Sequence, residues 1–297
     1  MAFDLSTLAP YTDELSLDLI SKAVLNTKLM EYVYVQPGLT SGTVAINLLS
    51  GDLTVTDRAC GFEPSGDIDF TQVALTLKDK QVKMTACRAD LLNYWTSMKM
   101  QAGAGAEDIP FAELISEYYV KKIAEYNEGY LINGDGVTDG LIDIITVANG
   151  AILAGGTPAA WTPTNALEQA LDLYDSVGEA VKDREDLIMV VSPAAYRALT
   201  RSLVAANYFH YNSVDGNEII ILPGTNVRVV KSSGLIGSDN AFAGPSQFIV
   251  VGVGLVDDAE SFKMMYDPFE DITKMAAYWR IGVNVSQVDM FATNDLA

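Results

Sequence analysis

The hydrophobic pattern is helical in several stretches, most clearly over residues 110–131. There the apolar stripe consists of Phe111, Leu114, Ile115, Tyr118, Ile123 and Leu131. Asp108 and Pro110 suit the start of a helix, and the Asn-Gly-Asp-Gly run at 133–136 tolerates the left-handed backbone that often ends one. The pattern predicts a helix of ~30 Å, at ~1.5 Å per residue.

Three further helices are predicted. Residues 12–30 place Leu15, Leu19, Ile20, Ala23 and Val24 on one face, with Thr12 or Asp13 as the cap. A second helix begins at Thr164. A third follows Ser192 and Pro193, which suit an N-cap and the first helical position.

Between residues 43 and 90 the apolar residues recur at every second position, and this alternation predicts strands with one buried face. The alternating residues are Val44, Ile46 and Leu48, then Val73, Leu75 and Leu77, then Val82, Met84 and Ala86. Residues 51–69 are rich in Gly, Asp, Ser and Pro, and they predict an extended hairpin with its tip near 63–67. Such a hairpin cannot bury Val55, Phe62 and Phe70 by itself, so we expect it to be mobile or covered by a partner.

The second half mixes strands and helices. Turn residues over 150–163 indicate a boundary, and Leu187 to Val191 predicts a buried strand. Further strands are predicted near 218–222, 226–231, 247–253, 261–266 and 276–286. A short strand, Tyr32 to Val35, ends at Pro37 and Gly38 nearer the start of the chain. Together these elements predict an α+β protein.

Composition and charge exclude several classes of protein. The formal net charge is −20, with 19 basic and 39 acidic residues, whereas a nucleic-acid-binding protein needs clustered Lys and Arg. The longest apolar run, 248–256, is too short for a membrane-spanning helix. The N-terminus shows no signal peptide. Cys60 and Cys87 form no metal motif, and we expect free thiols in a reducing cytoplasm.

The motifs of common enzymes are also missing from the sequence. His210 is the single histidine and has no nucleophile elbow to accompany it, so we expect a packing or hydrogen-bonding role. Gly252 and Gly254 lack the third glycine of a dinucleotide fingerprint. Asn133, Asp135 and Asp139 suggest a calcium loop only loosely, because Val137 stands where an oxygen ligand is needed. No catalytic residue, cofactor or metal ligand is predicted.

A family resemblance lies in segments 70–84, 89–92, 119–136, 186–203 and 222–229, together with Arg280 before the last strand. In their content and order these parts resemble the Hong Kong 97-type major capsid proteins of tailed bacteriophages. The resemblance spans residues 30–293. It implies a Hong Kong 97-like capsid fold with an N-terminal arm, an extended β-hairpin loop, a peripheral lobe with a long spine helix, and an axial α/β lobe.

The resemblance also implies a division of the chain. Residues 1–42 form the arm, and 43–88 form the extended loop and strands of the peripheral lobe. Residues 89–150 complete that lobe with the spine helix, 151–250 form the axial lobe, and 251–297 return to the peripheral lobe. The chain begins at the arm, without the long helical segment that some members carry, so a separate scaffolding protein, or none, is expected.

The implied function is mechanical. Copies of the chain would form hexamers and pentamers of an icosahedral shell around double-stranded DNA, with portal, scaffolding or decoration proteins as partners and no membrane. The protein would be made in the bacterial host cytoplasm and reside in the virion. An acidic surface suits a shell that must not adhere to DNA, although solubility is the more common reason for such a surface. Candidate inter-subunit contacts are Arg58, Phe62, Glu63, Phe70, Lys78 and Lys80.

Two other kinds of protein are compatible with the sequence. An encapsulin nanocompartment has a similar fold but encloses cargo enzymes, and the long 51–70 loop and the Gly-Asp-Gly exit from the helix favour a phage. A cytoplasmic α/β enzyme predicts a monomer or small oligomer with a deep polar pocket.

Overall fold

The computed structural model describes residues 28–39, 42–53, 57, 66–87, 111–155, 159–206, 220–254, 262–267, 269–270 and 272–295. The predicted helix 12–30 lies outside these residues except at its end, where Lys28–Glu31 forms one turn of 3-10 helix. His210 and Cys60 also lie outside the described residues.

Thirteen strands lie in the described ranges. They are β1 Tyr34–Pro37, β2 Thr43–Leu53, β3 Gly66–Thr76, β4 Lys78–Cys87, β5 Ile152–Leu153, β6 Leu187–Val191, β7 Ile220–Ile221, β8 Arg228–Lys231, β9 Phe242–Pro245, β10 Ile249–Gly254, β11 Phe262–Asp267, β12 Ile272–Val285 and β13 Ala292–Thr293. The α-helices there are α1 Phe111–Asn133, α2 Leu141–Ile144, α3 Ala166–Ser176, α4 Glu179–Lys182 and α5 Pro193–Ala205. Short 3-10 turns connect several of them.

The strands form two sheets and a separate ribbon. The five-stranded sheet has the order β1-β10-β12-β11, and β4 lies along the other edge of β12. The six-stranded sheet has the order β5-β13-β9-β6-β8-β7, and β2 and β3 pair only with each other. The mixed α+β character predicted from the sequence is confirmed.

Strand β6 separates the two hydrophobic cores. Ile188 and Val190 point into a core shared with α1 and the five-stranded sheet. Leu187, Met189 and Val191 point into a second core, formed with α3 and α5. Because alternate side chains of a strand lie on opposite faces, a strand covered on both faces needs an unbroken apolar run, and 187–191 provides one.

Several boundaries differ from the predicted ones. Helix α1 extends to Asn133, and Gly134 and Gly136 then take positive φ values, as predicted for its exit. Ser192 caps α5 by accepting a hydrogen bond from the Ala195 N–H at 3.1 Å, also as predicted. Tyr118, a member of the predicted apolar stripe, is exposed.

The sequence pattern missed β9, although it lies in the middle of the six-stranded sheet. Phe242–Pro245 contains Gly244 and Pro245, which both disfavour strands. Tertiary packing overrides that preference, because a Cβ at position 244 would overlap the ring of Phe291. A glycine is therefore required there.

Polar side chains on one turn of α1 fix that helix to β12 and to the turn that follows β8 of the six-stranded sheet. Asn127 Oδ1 accepts a hydrogen bond from Trp279 Nε1 of β12 at 2.9 Å. Glu128 Oε1 accepts from Ser232 Oγ and from the Ser233 N–H, each at 2.8 Å. Asn127 and Glu128 are both buried, so these hydrogen bonds form away from water.

The buried half of α1 should therefore dominate the stability of the subunit. We expect Leu131→Ala to lower the free energy of unfolding by about 2–5 kcal/mol, because Leu131 is fully buried in the shared core. Val137→Ala is the control, since Val137 is 80% exposed and such substitutions stay within about 0.5 kcal/mol. Urea denaturation measures both values, and equal losses in the two variants would contradict this role of α1.

Candidate assembly interface

The ribbon of β2 and β3 is the candidate interface. Its register pairs Thr43 with Thr76 at the base and Leu53 with Gly66 toward the tip. Each strand has 11 residues, which corresponds to about 37 Å at ~3.4 Å per residue. Of the hairpin predicted over 51–69, the described residues 51–53 do pair with 66–68, and the ribbon continues this pairing back to Thr43 and Thr76. The predicted tip near 63–67 lies largely outside the described residues.

One face of the hairpin carries a row of apolar side chains. Val44 lies opposite Leu75, and Ile46 lies opposite Val73, so these four share a face. Leu75 is buried at the base, whereas Val44, Ile46 and Val73 stay partly exposed. The row therefore passes from the core of the subunit into solvent.

The other face is polar near the base and aromatic farther out. Asn47 lies opposite Gln72, whose Nε2 donates a hydrogen bond to Asn47 Oδ1 at 2.8 Å. Phe70 lies on the same face and is 79% exposed. All four side chains from Asp69 to Gln72 are exposed, although neighbours along a strand point to opposite faces. This part of the hairpin therefore packs on neither face against the subunit's own body.

Two of the remaining candidate contacts are described. Lys78 is half-buried at the start of β4. Lys80 is engaged within the subunit, because its Nζ lies 2.7 Å from Asp135 Oδ2 and 4.1 Å from the centre of the Tyr130 ring. Arg58, Phe62 and Glu63 lie outside the described residues. A role of these residues between subunits stays a prediction.

Asp135 closes the turn that follows α1. Its Oδ1 accepts hydrogen bonds from the Val137 N–H, the Thr138 N–H and the Thr138 hydroxyl at 2.8–3.0 Å. With Lys80 on Oδ2, both carboxylate oxygens are engaged. Among the described residues no cluster of three His, Cys, Asp or Glu is placed to hold a metal ion. The Asp-Gly sequence here serves a turn.

The sequence matches no protein-family model, and no curated protein matches it. Solved structures do match. The capsid of a native GTA particle has a TM-score of 0.60 at 14% identity, covering 92% of this chain and 89% of that one. The satellite phage P4 procapsid with its size determination protein has a TM-score of 0.60 at 10% identity, covering 98% and 97%. The virus-like particle from Pyrococcus furiosus has a TM-score of 0.56 at 11% identity, covering 95% and 98%.

The chain has a phage-capsid fold. The similarity covers nearly the full length of both matched chains, so it is not confined to one of the two sheets. Within the residues that the structure describes, none of the helices combines the length and the apolar character needed to cross a membrane.

The turn between β11 and β12 exposes further apolar side chains that the sequence pattern did not predict. Phe269, in the turn between β11 and β12, is 98% exposed, and Met265 nearby is 68% exposed. Lys274 Nζ holds this turn, at 2.8 Å from Asp267 Oδ2 and 2.9 Å from Glu270 Oε2, and these carboxylates raise the pKa of Lys274 to about 12. An aromatic residue inside the Asp-Pro-Phe-Glu-Asp turn was the available signal.

The Lys80–Asp135 pair predicts a pH dependence. The hydrogen bond from Lys80, followed by those from Thr138 and Val137, holds the pKa of Asp135 well below its ordinary value. A depressed pKa in the folded state stabilises the protein above the unfolded-state pKa, and that contribution disappears as the pH falls. We expect the melting temperature of the wild type to exceed that of Asp135→Asn by a constant amount above about pH 5 and by a shrinking amount toward about pH 2.

Thermal unfolding followed by circular dichroism measures this difference. Asp139→Asn removes a carboxylate from the same loop and controls for the change in net charge. A difference between wild type and Asp135→Asn that stays constant down to pH 2 would show that ionisation of Asp135 does not stabilise the folded state.

Proposed function

We propose that this chain is the major capsid protein of a tailed bacteriophage, with the Hong Kong 97-type fold and no enzymatic activity. Its copies assemble into hexamers and pentamers of an icosahedral shell that encloses double-stranded DNA. In this proposal the five-stranded sheet with α1 is the peripheral lobe, α1 is the spine helix, and the six-stranded sheet is the axial lobe. The arm and hairpin lie across neighbouring subunits.

The observation that carries the proposal is the outer part of the hairpin. An isolated two-stranded ribbon is marginally stable in water, and this one also exposes Phe70 and a partly covered apolar row. Contact with a second copy would bury those side chains. Since many weak contacts repeat around a closed shell, each need contribute little for the whole to be stable.

Charge supports the kind of content that we propose. A chain with a net charge of −20 has no means of neutralising many phosphates, so it would enclose DNA without gripping it. Portal, scaffolding and decoration proteins are the further partners expected of such a shell. The protein would be made in the host cytoplasm and reside in the virion.

A nanocompartment shell of the encapsulin type is the second candidate, favoured by the similarity to the virus-like particle from Pyrococcus furiosus. Electron microscopy of the expressed chain tests both, since each predicts closed shells and an α/β enzyme predicts none. Particles from the native source then separate the two. Nuclease-protected DNA inside them supports the phage capsid, and a packaged enzyme supports the nanocompartment.

Removing the outer hairpin should separate folding from assembly. Deletion of residues 52–68 leaves Leu49 opposite Phe70 across a three-residue loop of Ser50, Gly51 and Asp69, a length that hairpins commonly use. We expect cooperative thermal unfolding to persist and shells to disappear. Loss of cooperative unfolding would show that the hairpin is needed for folding of the subunit. Formation of normal shells would show that the outer hairpin is not needed for assembly.

Phe70→Ala tests the same surface with one side chain. Because Phe70 is largely exposed in the subunit, its removal should change the free energy of unfolding by less than about 0.5 kcal/mol. If a second copy buries the ring, truncation should raise the critical concentration for assembly, measured by light scattering, about tenfold or more. Val137→Ala, at a similarly exposed apolar position outside the hairpin, is the control. A critical concentration equal to that of the control would exclude Phe70 from the interface.

A further inference from the structure

The base of the hairpin rests on two glycines that face each other across adjacent strands. Gly252 of β10 lies directly opposite Gly282 of β12. Residues opposite each other in an antiparallel pair lie on the same face of the sheet. Two adjoining positions on that face therefore present bare backbone.

The hairpin fills the space that side chains would take there. A Cβ at position 252 would lie 2.7 Å from Leu75 Cδ2 and 3.1 Å from Leu77 Cδ2, and 3.0 Å from Leu39 Cδ1 of the segment before β2. A Cβ at position 282 would overlap the backbone oxygen of Thr76. Leu75 and Leu77 are both buried. The glycine pair, which we call the glycine seat, thus lets the backbone of β3 lie directly against the sheet.

A hydrogen bond secures the hairpin beside the seat. Asn284 is two residues beyond Gly282 on β12, so it lies on the same face. Its Nδ2 donates to the backbone oxygen of Ala74 at 2.7 Å. That oxygen belongs to the residue next to Leu75, so the bond and the packing hold the same short part of β3.

Both strands of the hairpin have a point at which they can change direction near the seat. Leu77 alone separates β3 from β4. On the other side, Gly42 precedes β2 with a φ of 85°, and Gly38 lies before it with a φ of 80°. Neither Gly38 nor Gly42 has atoms packed around its Cβ position. The contacts at the seat and at Asn284 are therefore placed to set the hairpin's direction.

We propose that Gly252, Gly282 and Asn284 are positioning residues that hold the hairpin in one direction in the free subunit. The inference rests on the proposed assembly role of the hairpin. A hairpin already aimed at its neighbour loses less conformational entropy on binding than one that swings freely. The seat would make the assembly surface preorganised.

The variants Gly282→Ala and Asn284→Asp test this. The first places a methyl group against the Thr76 backbone, and the second is isosteric and sets a carboxylate oxygen against the Ala74 oxygen in place of a donor. Gly178→Ala is the matched control, because nothing lies near its Cβ position and its φ of −54° suits alanine. Cooperative thermal unfolding shows whether each variant folds. If Gly282→Ala does not fold, the test rests on Asn284→Asp alone.

The first readout is a distance in the isolated subunit. Spin labels at Gln72→Cys on the hairpin and Asp175→Cys on α3, both exposed positions, are introduced with Cys60 and Cys87 replaced by serine. Pulsed electron paramagnetic resonance at low protein concentration should give one narrow distribution of distances between the two spin labels in the parent and in Gly178→Ala. Gly282→Ala and Asn284→Asp should both give broad distance distributions. In both variants the amide hydrogens of residues 74–77 should exchange roughly five- to tenfold faster, as expected for loss of about one hydrogen bond.

The second readout is assembly, measured by light scattering. Slower shell formation in both Gly282→Ala and Asn284→Asp, together with their broad distance distributions, supports the inference. Distance distributions as narrow as the parent's overturn it, whatever happens to assembly. If the parent forms no shells at all, the proposed function fails, while the distances still report whether the seat directs the hairpin.

Discussion

The buried carboxylate of Glu128 holds α1 to the six-stranded sheet one residue away from the point where Asn127 holds the same helix to β12. Burying a carboxylate is costly, and the two hydrogen bonds from Ser232 and Ser233 offset that cost. Close packing reinforces the attachment, because a Cβ at Gly234 would lie 2.8 Å from the Ile132 side chain, and Asn133 Nδ2 donates to the Gly234 oxygen at 2.6 Å. Both sheets are therefore fixed to one helix, and the rest of the subunit is arranged around it.

That arrangement explains the contrast between the body and the hairpin. Strand β12 buries Met275, Ala277, Trp279 and Ile281 toward the side where α1 packs, and the opposite face of the same strand carries Gly282 and Asn284. The sheet thus has a closed side that supplies stability and an open side that supports the base of the hairpin. A well-packed body with an exposed, partly apolar ribbon is suited to tiling, since the body keeps its shape while a neighbour stabilises the ribbon.

Much of this was visible along the chain, for reasons that particular residues make clear. Leu187–Val191 is continuously apolar because both of its faces are covered, and the alternation of Val44, Ile46 and Leu48 marked a strand with one apolar face. Capping by Ser192 and the turn after Asn133 follow from local chemistry, so they too were predictable. Strand β9 was not, because Gly244 and Pro245 oppose a strand locally, and Gly244 is required by the ring of Phe291, 47 positions away. Lys80 carried no sign of its partner either, since Asp135 lies 55 residues farther along.

The sequence by itself determined the order of the longer elements, the α+β class, the presence of a hairpin and the absence of basic clusters, because periodicity, turn residues and charge act locally or in sum. Only the tertiary structure decided which apolar residues remain in solvent, as at Phe269, and which glycines serve close packing, as at Gly252 and Gly282. Those outcomes depend on which residues meet across the sheets. Contacts between distant positions are set by the packing of whole elements, and a local pattern does not record them.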